Sequence, residues 1–244
     1  MNMPSKCLNC GQDLNGRWCS KCGQDGERRL RSIYEVIRHW GRDLFNFEGK
    51  VIFTLWTLLK SPGHLASEYA KGRFSSQVSP TRLYLLASAA FFFSAPRLGG
   101  GLIRFDDGSV FTLGPLGWDS EYLVLLLVPI WAMILRPLLF DRVTKFEEVF
   151  VFSVHYNVCF LLFMVFLALS ATLISILGMP SIALWILVIG ILGPFYYLWR
   201  SLHIAYSFNG LRLFFMTVGM FVVHFGGGQM LHNWMKTGSA FGLY

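Results

Sequence analysis

The chain has 244 residues, 54% of them hydrophobic and 14% charged, with a formal net charge of +7. Residues 1–82 carry 13 Lys/Arg against 7 Asp/Glu, while the remaining 162 carry 8 against 7. The basic excess therefore sits just ahead of the first apolar segment, where anionic lipid or the positive-inside rule accounts for it and nucleic acid is discounted as a partner.

Four of the five cysteines fall in two pairs, "CLNCG" and "CSKCG", as Cys7/Cys10 and Cys19/Cys22; Cys159 stands alone in an apolar run. This is a metal framework, not a disulfide framework. Two residues between thiolates let backbone N–H groups turn toward the sulfurs, and Gly11 and Gly23 supply the positive φ that such a turn needs. Eight residues separate the pairs, and Asn15-Gly16 predicts a tight hairpin between them. Four thiolates at about 2.3 Å form a closed tetrahedral Zn²⁺ site, with an iron site or a redox dithiol pair as rivals. Lys6, Arg17 and Lys21 offset its negative charge. A module this small has no core and depends on its metal to fold. Reduced thiolates place it in the cytosol. The ribbon is either a staple or a docking surface around Trp18 and Leu14. The N-terminus lacks the apolar core of a secretory signal.

Residues 27–81 form a second part. In "ERRLRSIYEVIRHWGRDLFNF" the apolar residues Leu30, Ile33, Tyr34, Ile37, Trp40, Leu44 and Phe45 recur at helical spacing, with Arg28, Arg29, Arg31, Arg38 and Arg42 on the polar side. Such a helix favours a membrane interface or packs on the cytosolic side of a bundle. Val51 to Leu59 is apolar but too short to span, and Pro62 stops it. The expectation is two or three short amphipathic helices along the cytosolic surface.

Residues 82–244 form the third part. Apolar segments at about 82–98, 121–139, 149–177, 181–199 and 212–231 predict five transmembrane helices. The fold class expected is thus an all-α membrane protein, preceded by a small four-cysteine zinc ribbon (1–26) and interfacial helices. Arg136, Arg142, Lys145, Arg200 and Arg212 flank the inner ends of the spans, which puts the N-terminus inside and the C-terminus outside. "IRFDDGSVFTL", with Asp107-Gly108 as its turn, predicts a small external hairpin.

Polar residues inside lipid are costly and tend to be functional. Span three reads "FEEVFVFSVHYNVCF", with Glu148, His155 and Cys159 near one stripe; span four ends "YYLWRSLHIAYSFNGLRLFF". His155, Tyr156, Asn157, Arg200, His203 and Arg212 therefore define a candidate polar cluster between spans three and five. Three readings compete for it: interhelical hydrogen bonding, a lipid-phosphate site on Arg200 and His203, and a metal or catalytic site at His155 and Cys159. No Ser-His-Asp, P-loop or His-Glu-x-x-His arrangement is visible. Gly226-Gly227-Gly228 fits close helix contact.

On "CLNCG…WCSKCGQ", "TLWTLLKSPGHLASEYAKGRFSSQVSPTRLYLL", "FEEVFVFSVHYN" and "YYLWRSLHIAYSFNGLRLFF" the chain resembles a bacterial group of multi-pass inner-membrane proteins with an N-terminal zinc ribbon, grouped under a domain of unknown function. The resemblance implies fold and inner-membrane location and no reaction. The function expected is non-enzymatic: a structural zinc ribbon that docks or scaffolds a membrane partner, or a second copy, at the cytosolic face. The alternatives are a lipid-handling or small-solute transport component using the polar cluster, with anionic lipid as ligand, and a membrane enzyme acting on lipid head groups.

Overall fold

The computed structural model describes residues 5–26, 50–94, 103–104, 110–111, 121–139, 145–177 and 180–222. The arginine-rich helix expected over 27–47 and the glycine run at 226–228 lie outside them. The described chain is predominantly helical: α1 (Lys50–Lys60), α2 (His64–Ala70), α3 (Pro80–Ser94), α4 (Glu121–Leu138), α5 (Phe146–Leu177) and α6 (Pro180–Tyr206), then α7 (Gly210–Val222). Two short strands, β1 (Ile103–Arg104) and β2 (Val110–Phe111), pair antiparallel with Ile103 opposite Phe111; the turn expected at Asp107-Gly108 lies outside the described residues. One helical stretch, Phe146–Ser170, is long and apolar enough to cross a membrane. The 27 residues of α6 reach Tyr206, beyond the expected end at 199, and at 1.5 Å per residue cover about 40 Å.

Helix α5 is the centre of the structure. Its apolar residues run around its whole circumference, and its first half is enclosed by protein. Every residue from Val151 to Leu161 is buried, and α1, α2, α3, α4 and α6 all pack on it. Trp131 of α4 meets Tyr156 edge-on at 5.8 Å, and Phe152 meets Tyr206 of α6 at 5.1 Å. Gly193 and Gly190 of α6 admit Phe163 and Leu167 against the backbone. Small residues of this kind let helices approach where no hydrophobic force drives them together.

Helices α1 and α2 are short, as expected, and lie against the long helices. They pack on α5, and α2 also on α6. Val51, Thr54 and Leu58 of α1 are buried, while Ile52, Phe53, Trp56 and Leu59 are exposed. Apolar side chains of α1 thus reach both its packed and its exposed side. Its hydroxyls are bonded within the helix: Thr54 donates to the Lys50 carbonyl at 2.7 Å and Thr57 to that of Phe53 at 2.8 Å. Tyr197 of α6 donates its hydroxyl to the Leu58 carbonyl at 2.9 Å, satisfying a group left open at the end of α1. The chain then turns at Pro62-Gly63. Gly63 holds φ at 77°, and a methyl group there would stand 2.5 Å from the Ser201 carbonyl oxygen.

Gly63→Ala faces both a left-handed backbone penalty of about 1–2 kcal/mol and this clash with α6 backbone. Its thermal midpoint in detergent should fall by about 5 °C or more. Gly210→Ala, at φ 60° with open space around it, should fall less. Equal midpoints for the two variants would show that the Gly63–Ser201 contact does not hold α2 on α6.

Candidate metal centre and its dock

The ribbon is two copies of one knuckle, twelve residues apart. Cys7 N–H donates to the Gln12 carbonyl at 2.8 Å and Cys19 N–H to that of Gln24 at 2.9 Å. Gly11 N–H donates back to Cys7 at 2.9 Å and Gly23 N–H to Cys19 at 2.8 Å. Leu14 closes on Ser5, and Gly26 on Arg17. The bridges Lys6–Asp13 and Trp18–Asp25 complete the match. Gly11 and Gly23 take the positive φ expected, 74° and 71°. The hairpin expected through Asn15-Gly16 is absent among the described residues. Each knuckle pairs with its own flanks, so residues 15–17 only bend across from one to the other.

The four sulfurs of Cys7, Cys10, Cys19 and Cys22 all lie within 4.8 Å of one another. Cys7 and Cys22 stand 3.6 Å apart, as do Cys10 and Cys19. Four thiolates around one ion at about 2.3 Å have tetrahedral edges of about 3.8 Å, so the donor set fits a metal ion. The N–H groups of Cys22 and Lys21, turned on the Cys19 sulfur, lower its thiol from 9.0 to about 6. Cys10 goes the other way, to about 11: the Gln12 N–H favours its thiolate, but desolvation and the three neighbouring sulfurs outweigh it. Such crowding is relieved by a cation.

The second knuckle is bound to the helical unit. Gln24, 2% exposed, donates its side-chain amide to the Gly72 carbonyl at 2.7 Å. Its Oε1 accepts from the N–H groups of Phe74 at 3.4 Å and Ser75 at 3.3 Å. The Ser75 hydroxyl donates to the Cys22 carbonyl. From the same loop, Val78 N–H donates to the Thr54 hydroxyl at 3.1 Å. One chain of contacts thus runs from a metal ligand to α1 and to the start of α3. Along the seam opens a cavity of about 210 Å³ lined by Trp18, Gln24, Asp25, Phe74 and Gln77, among others. Trp18 is 60% exposed at this seam, with Arg17 over its ring at 5.5 Å and bonded to Asp25 at 3.2 Å. Gln24 went unremarked in the sequence because a polar residue after a knuckle looks solvated. The signal was the repeat "CLNCGQD" and "CSKCGQD", which extends past the cysteines.

The polar candidates of the long helices fall into separate groups. His155, Tyr156 and Asn157 are buried in α5. His155 Nδ1 bonds the Val151 carbonyl at 2.9 Å and Asn157 donates to that of Ser153 at 2.8 Å, so both turn back on their own helix. His155 Nε2 has no hydrogen-bond partner among the described residues. His203 and Arg212 meet at Phe208: His203 Nδ1 bonds its carbonyl at 2.8 Å, and the Arg212 guanidinium lies 4.5 Å from its ring centre. Arg212 also donates to the Leu138 carbonyl at 3.2 Å. Arg200 is exposed and makes no hydrogen bond or ion pair among the described residues. Cys159 is buried and lies apart from the ribbon's metal-binding set.

Fold and site together define a helical bundle with a four-cysteine cluster, whose donor set fits a metal ion, fixed to the loop ahead of α3. The family described as "Protein of unknown function (DUF3667)" matches residues 48–92. That stretch includes α1, α2 and the loop that receives Gln24. No curated protein and no solved structure matches the chain.

Gln24→Ala removes the groups that satisfy Gly72, Phe74 and Ser75 while leaving every sulfur in place. If the dock contributes about 1–2 kcal/mol, the open state rises about fivefold to thirtyfold. Trypsin cleavage after Lys71 or Arg73 should accelerate in proportion, with metal content unchanged. Cleavage at the wild-type rate would show that the seam is held by other contacts.

Proposed function

We propose that this chain is a non-enzymatic integral membrane protein whose zinc-filled ribbon docks a membrane partner at the cytosolic face. The carrying observation is the Gln24 seam. It holds the ribbon on the helices as a fixed platform, with Trp18 exposed beside a cavity. Four thiolates leave an ion no open position for water or substrate, which favours structural zinc.

In this reading α3 to α7 are the five spans. Helices α5 and α6 expose Phe166, Leu169, Leu173 and Ile176, and Trp185, Ile189, Leu192 and Tyr196. These apolar rows repeat at three- and four-residue spacing, and in water such patches mark association or aggregation. Lipid is the solvent that suits them. The exposed apolar face of α1, with hydroxyls bonded internally, fits the same surroundings at the cytosolic leaflet. The basic N-terminal third then faces the cytosol of a bacterial inner membrane.

Topology is checked by reporters. A fusion after Leu243 should act as extracytoplasmic and one in the 141–146 loop as cytoplasmic. Two cytoplasmic reporters would replace five spans with an even number.

Docking is checked through the metal. The purified chain should hold about one zinc, lost in Cys7→Ser with Cys22→Ser. A photocrosslinker placed at Trp18, in membranes of producing cells, should give a discrete adduct that the same double substitution abolishes. Zinc retained by that variant would refute the metal site. An adduct pattern indifferent to zinc would refute docking by the ribbon.

A further inference from the structure

The two knuckles are equivalent in backbone, but among the described residues only the second is bound to the rest of the chain. Gln12 occupies in the first knuckle the place of Gln24 in the second: each follows the knuckle glycine, and each carbonyl accepts from the first cysteine of its pair. Gln24 is buried against the 72–75 loop. Gln12 and its neighbour Asp13 are exposed, and Gln12 makes no side-chain hydrogen bond among the described residues.

We infer that Gln12 is a second peptide dock, which takes a backbone turn of a partner protein in the way Gln24 takes the chain's own. The inference rests on the docking reading above and names its site and the chemistry of its ligand. That chemistry is displayed by the occupied copy. Gly72 presents a carbonyl to the glutamine amide, and the N–H groups of Phe74 and Ser75 converge on the glutamine oxygen. The Ser75 hydroxyl reaches the carbonyl of the second cysteine in the knuckle. Gly72 holds φ at 79°, which presets the turn, and consecutive N–H groups on one oxygen form a backbone nest. A partner turn of the form Gly-x-x-Ser, with a left-handed glycine, meets all four requirements. The corresponding acceptor on the first knuckle is the Cys10 carbonyl. A second copy of the chain is disfavoured, because its own Gly72–Ser75 turn is already held by its own Gln24. The amide alone recognises backbone, so the residues between Gly and Ser are free to vary. Zinc fixes both knuckles in one orientation, and the spare dock therefore faces a set direction relative to the helices.

The probe is a backbone-cyclised peptide carrying residues 71–76, "KGRFSS", added to the full zinc-loaded chain in detergent micelles. The chain contains Gln12, Gln24, Gln77 and Gln229, few enough for their side-chain amides to be followed separately by NMR. The Gln12 amide should shift saturably while the Gln24 amide stays in place. Gln12→Ala should weaken binding about tenfold, equivalent to about 1.4 kcal/mol, without loss of zinc. No saturable shift at Gln12 up to about 1 mM peptide, the weak end of specific association, would overturn the inference. So would unchanged affinity in Gln12→Ala. The Trp18 adduct separates the two readings. If a zinc-dependent adduct forms and Gln12→Ala leaves it intact, the partner docks elsewhere on the ribbon and only the Gln12 assignment fails. If peptide binds at Gln12 and no zinc-dependent adduct forms in membranes, the docking function fails.

Discussion

One buried glutamine decides how the two parts of this structure relate. Gln24 follows directly on a metal knuckle, and its amide group is satisfied by backbone forty-eight to fifty-one residues away. A buried amide left unsatisfied costs about 1–3 kcal/mol, so the contact is directional: ribbon and loop must meet in one register or both lose. The 22 described residues of the ribbon, 5–26, cannot supply a core. A metal gives them shape, and the seam gives that shape a fixed place. Because the loop also ties Thr54 to Val78, the orientation of the ribbon is set by α1 and by the entry into α3.

The second constraint is the enclosure of α5. The first half of this helix is enclosed by protein, and α1 with α2 fill the sector that three other long helices leave. Two contacts lock them there. The Tyr197 hydroxyl meets an open carbonyl at the end of α1, and Gly63 lets a turn pass against the α6 backbone at Ser201. The short helices are therefore part of the bundle and not a surface ornament. The family match over residues 48–92 spans both the Gly63 contact with α6 and the loop that receives the ribbon.

Legibility from sequence followed the range of the interaction. The cysteine pairs were readable because two intervening residues and a glycine fix the local geometry of a thiolate knuckle. The helices α4 to α6 were readable because length and apolarity alone specify them. Contacts that join distant segments were not. Nothing in "KSPGH" says that its glycine will face Ser201, and nothing local assigns Tyr197 to the Leu58 carbonyl. The polar residues of α5 were expected to reach across to α6. His155 and Asn157 instead bond carbonyls one turn back on their own helix, the least costly satisfaction open to a polar side chain in an apolar bundle. The hairpin at Asn15-Gly16 failed for a related reason: the turn signal was present, but each knuckle had already engaged its flanking backbone groups within itself.

The repeat within the ribbon gives the asymmetry of the whole molecule its meaning. Two identical backbone frames surround one set of four sulfurs, so any surface of one knuckle has a counterpart on the other. Burial breaks this equivalence: Gln24 and Asp25 are enclosed, whereas Gln12 and Asp13 are exposed. Packing the metal requires the cysteines and glycines of both halves, but it does not require glutamine in either. In the second half the glutamine is explained by the loop it binds. In the first half neither the metal nor the fold explains it, and the same side chain in the same frame carries the same capacity for recognising a backbone turn. Among the described residues, one knuckle is committed to the chain's own helices and the other is turned outward.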